Sequence, residues 1–143
     1  MANFTMPLAV HLLFIEGGKI LLLRRANTGY RDGQYSMVAG HHEQGETLRQ
    51  TAIREAKEEA DVTIAPEDLT FKVLAHKREE SERLAVFFLA TKWTGEIKNM
   101  EPEKCDDLSW FPLDALPDNM VPYVRDAIEA YRSEQTYIEH GWD

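Results

Sequence analysis

Three glutamates, Glu55, Glu58 and Glu59, follow one another at spacings i, i+3 and i+4 in the segment I-R-E-A-K-E-E-A. If that segment is helical, their carboxylates leave nearly the same side of one helix. Like charges so placed cost roughly 0.2–0.5 kcal/mol per pair on an exposed helix, a penalty that a cation among them would reverse. Oxygen-only ligands with room for water suit Mg²⁺, and also Mn²⁺. A Glu-rich helix is equally a common solvated face, so these residues alone leave a metal site and a charged surface both open.

The elements that must hold the glutamates are written around them. Thr47 is a good helix N-cap and Gln50 completes a capping box, after which Leu48, Ala52, Ala56 and Ala60 recur at four-residue steps and face a core. Ahead of the helix, residues 35–38 read as a short strand, and a bend over residues 39–45 carries Gly40, His41 and His42. Gly40 has no side chain, so its carbonyl approaches a metal or a phosphate closely. Adjacent histidines in extended chain point opposite ways, which argues against joint chelation. Residues 8–15 and 20–23 predict a β-hairpin buried on both faces, ending in Arg24 and Arg25. Paired arginines beside a polar loop are the first cationic contacts expected for phosphates. Residues 69–76 and 84–93 form a second antiparallel pair, residues 108–111 a short strand, and residues 121–133 an amphipathic helix. The sheet is therefore mixed or antiparallel with helices on its faces. An apolar tail with Tyr137, Ile138 and Trp142 packs on that sheet or joins a homodimer interface.

The 143 residues, 43% hydrophobic, make one domain spanning residues 1–143 with enough apolar material for a proper core. Their formal net charge of −9 argues against a nucleic acid polymer or an anionic membrane as partner. A phosphorylated small molecule fits if metal ions neutralise the site. Cys105, the only cysteine, excludes an internal disulfide and a thiolate metal cluster. With neither a leader-like N-terminus nor an apolar run of spanning length, cytoplasmic residence is expected.

Gly40, Glu46, Arg54, Glu55, Ala56, Glu58, Glu59 and Val62 together resemble the Nudix box: glycine, five residues, glutamate, seven residues, then Arg-Glu-apolar-x-Glu-Glu-x-Gly-apolar. At residue frequencies near ~0.07, six fixed positions coincide by chance on the order of 10⁻⁷ per starting point. Asp61 stands where the box has its last glycine, the left-handed residue closing the helix. Asp tolerates that conformation better than most residues, so a small stability cost and an intact site are expected.

The resemblance implies an α/β fold, a Nudix-type α/β/α sandwich with a mixed sheet. It implies Mg²⁺-dependent hydrolysis of a nucleoside diphosphate linked to a further group X. By position, Glu55 and Glu59 resemble the main metal ligands, Glu58 a further ligand or the base, and Gly40 a carbonyl ligand. Arg54 resembles the residue that orients the carboxylates, and Glu46 its structural partner. In many members the base lies in a loop ahead of the late Trp strand, where this chain offers Glu103 and, second, Glu101. Divalent ions held there would clamp phosphate oxygens and activate water. The Pro or Tyr that marks ADP-ribose or dinucleoside polyphosphate hydrolases is absent from residues 76–81. The expected substrate is therefore a canonical or modified nucleoside triphosphate, cleaved to monophosphate and pyrophosphate; a nucleotide sugar or dinucleotide is the alternative. Tyr30, Tyr35, Phe111 and Tyr123 are candidate platforms for the base, each equally suited to the core. Two other classes compete: an isoprenoid diphosphate isomerase, whose catalytic cysteine Cys105 does not match, and a noncatalytic nucleotide sensor, which the retained glutamates disfavour.

Overall fold

A computed structural model describes residues 3–143. In chain order it contains β1 (Leu8–Glu16), β2 (Lys19–Arg25), β3 (Tyr35–Ser36), β4 (Ala39–His41), α1 (Leu48–Ala60), β5 (Leu69–Arg78), β6 (Glu82–Ala90), β7 (Cys105–Pro112), α2 (Pro122–Arg132) and β8 (Tyr137–His140). The hairpin between β1 and β2 is paired only beside its turn, at Ile15–Ile20 and Glu16–Lys19. The two strands then part. β1 runs parallel to β6 on one edge and antiparallel to β4 on the other, while β2 takes β7 and β3. The expected central hairpin is thus a fork in one eight-stranded mixed sheet. The bend expected over residues 39–45 begins instead as strand β4, because Ala39, Gly40 and His41 lie in register with His11, Val10 and Ala9.

Alternation along β1 divides the core. Val10, Leu12 and Phe14 pack with Ala52, Ala56 and Ala60 of α1, whereas Leu13 and Ile15 pack with Val124, Ala127 and Ile128 of α2. A helix therefore covers each face, the α/β/α sandwich that the resemblance implied. Burying a large apolar side chain stabilises by about 1.5–3 kcal/mol, and Leu12, Leu13, Phe14, Leu22 and Ile128 are fully buried.

α1 is held at both ends as its residues predict. Thr47 accepts from the Gln50 backbone N–H at 3.1 Å, and the Gln50 side chain accepts from the Thr47 N–H at 2.7 Å. Asp61 closes the helix in the left-handed conformation, φ 58°, its backbone N–H directed at the carbonyls of Ala56 and Lys57. The tail does pack on the sheet: β8 runs parallel to β5, and the Trp142 indole donates to the His76 carbonyl at 2.9 Å. Among the described residues no helix is long and apolar enough to cross a membrane.

Candidate active site

Arg54 is the hub of the site. Its Nη2 donates to Glu46 Oε1 at 2.8 Å and its Nε to Glu46 Oε2 at 3.1 Å, a two-point grip on one carboxylate. Its Nη1 reaches Glu55 Oε1 at 2.7 Å, and Nη2 also donates to the His41 carbonyl at 3.1 Å. One guanidinium thus ties the loop before α1, the strand β4 and the first glutamate of the triplet together. Arg54, with help from the Thr51 hydroxyl, holds Glu46 down at about 2. The same grip raises Arg54 above its ordinary value.

Glu55 lies against Gly40: a Cβ on Gly40 would come within 2.0 Å of its carboxyl carbon. Only a glycine leaves the carboxylate its place. Glu59, one turn further along α1, is the most perturbed acid of the site, pushed up to about 10 by burial first and by the adjacent Glu55 carboxylate second. Glu58 approaches the same Arg54 nitrogen that holds Glu55. It is largely exposed and its carboxylate is 3.5 Å from Arg54 Nη1. Among the described residues no three carboxylate, histidine or cysteine side chains come together as a ready-made metal cage.

Two cavities flank β4. One, of about 390 Å³, is lined by Glu59, Glu101, Asn99 and Cys105; the other, of about 470 Å³, by Gly40, Tyr30, Lys77 and Tyr123. Arg25, Ala39 and His41 line both. Arg25 is aimed by its own loop, Nε donating to the Tyr30 carbonyl at 2.7 Å and Nη2 to Thr28 Oγ1 at 3.0 Å. Arg24 faces elsewhere, paired with Asp106 at 2.7 Å, and lines neither cavity. Tyr35 is buried against Phe111 with its hydroxyl donating to Asp107, so both aromatics serve the core. Of the two loop glutamates, Glu101 stands on the cavity wall with Glu59, whereas Glu103 is exposed and lines neither cavity. Lys77 and His11 went unnoticed in the sequence. Their signal was parity: a polar residue in phase with the inward Val73 and Ala75, or with Leu13 and Ile15, is turned inward.

The chain matches the NUDIX domain model over residues 5–131. The chain belongs to the Nudix hydrolase family. Its relatives include the NAD-capped RNA hydrolases NudC of Pectobacterium carotovorum, 36% identical over 74% of this chain and 39% of that protein, and of Pseudomonas aeruginosa, 35% identical over 74% and 36%. The chain spans about two fifths of the length of these curated relatives. Among solved structures, a MutT NUDIX hydrolase from Burkholderia pseudomallei superposes with a TM-score of 0.81 at 23% identity, covering 88% of this chain and 98% of that one. A MutT protein from Methanosarcina mazei gives 0.78 at 23% identity, covering 92% and 98%. Both likenesses are of fold.

The donor set of this Nudix domain fits a divalent cation. Two carboxylates pressed together in a buried place, one driven to hold a proton, are the arrangement a cation relieves. Mg²⁺ is usually held by one or two carboxylates, completed by water and substrate phosphates.

Proposed function

We propose that this Nudix domain hydrolyses the diphosphate linkage of a nucleoside diphosphate derivative in the cytoplasm, with Glu55 and Glu59 holding Mg²⁺ or Mn²⁺ and Gly40 giving them room. The bound ion would neutralise the diphosphate and lower the pKa of the attacking water. Arg54 orients Glu55, and Glu46 orients Arg54. A carboxylate facing the reacting water takes its proton; Glu101, which shares a cavity wall with Glu59, is placed for this ahead of Glu58 and Glu103. Arg25, reaching both cavities, offers a fixed guanidinium to phosphate oxygens.

The pair of cavities meeting at β4 is the observation that carries the substrate proposal. A diphosphate seated at β4 has space on both sides, which suits a substrate with a sizeable group at each end, such as a dinucleotide. The relatives' name points the same way, and a cap at the end of an RNA presents one dinucleotide without requiring the basic groove that a net charge of −9 disfavours. Cleavage of a nucleoside triphosphate to monophosphate and pyrophosphate is the second reading, favoured by the lack of Pro or Tyr over residues 76–81.

Phosphate, pyrophosphate and nucleotide release is measured with Mg²⁺ across nucleoside triphosphates, dinucleotides and nucleotide sugars, with Glu59→Gln as the blank. Turnover of dinucleotides that vanishes in the blank is the expected result. Turnover confined to triphosphates selects the second reading, and no turnover by folded, metal-binding protein leaves a nucleotide sensor.

A further inference from the structure

Lys77 is 8% exposed, and among the described residues its nearest carboxylate oxygen, Glu79 Oε1, is 3.8 Å from the ammonium, beyond hydrogen-bond distance. Its closest partner is the face of Tyr123, whose centroid lies 3.5 Å away. Directly across the β5–β6 pair, in register, stands Arg83. Like charges opposite one another destabilise an antiparallel pair, and a buried ammonium without acceptors adds the cost of lost hydration. Both side chains line the 470 Å³ cavity, which Arg25 also enters. The facing carboxylates are Glu79 and Glu80, and Glu79 is already engaged by the Tyr30 hydroxyl at 2.9 Å and by Arg31 at 3.8 Å. Burial first, and then repulsion from Arg83 and Arg31, bring Lys77 down to about 8 against the opposing attraction of Glu79. In an acidic chain, a cavity lined by Lys77, Arg83 and Arg25 against two carboxylates, with Glu79 shared among Tyr30, Arg31 and Lys77, describes a place for an anion.

The position separates this place from the diphosphate. β4, β1, β6 and β5 lie side by side, so three steps of ~4.8 Å, roughly 14 Å, separate the strand of Gly40 from that of Lys77. That is longer than a diphosphate and comparable with a nucleoside. We propose that Lys77 and Arg83 bind a phosphoryl group of the substrate other than the two being separated, carried on the nucleoside that fills the larger cavity. The proposal rests on the diphosphatase reading for the orientation of the substrate; the cation cluster stands by itself.

The test is calorimetric titration of the metal-free protein with adenosine 3′,5′-bisphosphate, AMP and inorganic phosphate. The bisphosphate should bind about tenfold or more tighter than AMP, the scale of one charge-assisted contact. Lys77→Met, which keeps length and removes charge, should erase that preference, and Arg83→Gln should reduce it in a protein whose circular dichroism matches the parent. Equal affinity for the two nucleotides, no binding of either, a preference that survives both substitutions, or inorganic phosphate binding as tightly as the bisphosphate would each overturn the proposal. Neither nucleotide contains a diphosphate and no metal is needed. A preference in a protein that hydrolyses nothing therefore keeps the site and removes the hydrolase, and turnover without a preference does the reverse.

Discussion

Glu59 is a half-buried acid beside another acid, and its behaviour follows from that crowding. Because its folded-state pKa lies above the ordinary carboxylate value, metal-free protein holds a proton on folding between about 4.5 and about 10. Stability without metal should therefore fall as pH rises through that window, and Glu59→Gln should flatten the fall. The same variant should fold normally, lose roughly 10³-fold or more in kcat, as expected when transition-state charge stabilisation is removed, and gain no thermal stability from Mg²⁺. The parent should gain about 2.7 kcal/mol at a hundredfold excess over Kd. Melting curves in EDTA and in Mg²⁺ across pH 5–9 check all of this; parent-like turnover or Mg²⁺ stabilisation in the variant would refute the ligand role. Gly40→Ala is the companion test. Its Cβ overlaps the Glu55 carboxyl, so Glu55 must move and part from Arg54. A displacement on the scale of 1 Å typically loses roughly 10²-fold in rate, with the β4 backbone intact.

At the scale of elements, α1 was legible because every device that makes it is local. The capping box lies within one turn, the alanine stripe repeats with the helical period, and the closing residue sits at its predicted place. Asp61→Gly relieves a left-handed Asp but forfeits its exposed, solvent-screened pair with Lys57 at 2.9 Å. The expected net gain is about 0.5 kcal/mol, read as a higher urea midpoint with unchanged slope; a lower midpoint would contradict this account of the helix end. β3 was read two residues too long, over residues 35–38, and β4 was not legible, being read as a bend. Strands of two and three residues carry no period of their own, and they exist because β2 and β1 offer them edges.

For the whole molecule, β8 finishes the sheet. It covers the outer edge of β5, the strand that carries Lys77, and the Trp142 ring lies tilted against His76 at 4.7 Å between ring centroids. Removing residues 137–143 should lower the melting temperature by several degrees, because each kcal/mol lost corresponds to roughly 3 °C in a chain of this size. It should also cause concentration-dependent association through the bared edge. Sedimentation velocity on the full and shortened chains checks this, and an unchanged melting temperature with a monodisperse short form would show that the strand is dispensable.

By itself the sequence determined the family motif, the helix that bears it and the sandwich class, since these rest on local spacing and on the alternation of apolar residues. It also named Glu55, Glu59, Arg54, Gly40 and Glu46 as one unit, and the structure brings them into contact. Tertiary structure alone decided which outlying residues join them. Arg25 faces the cavities and Arg24 does not, Glu101 faces Glu59 and Glu103 does not, and Lys77 is turned inward opposite Arg83. Neighbours in a strand or a loop look alike in composition. Only the pairing register and the path of the backbone settle which of them meets the site.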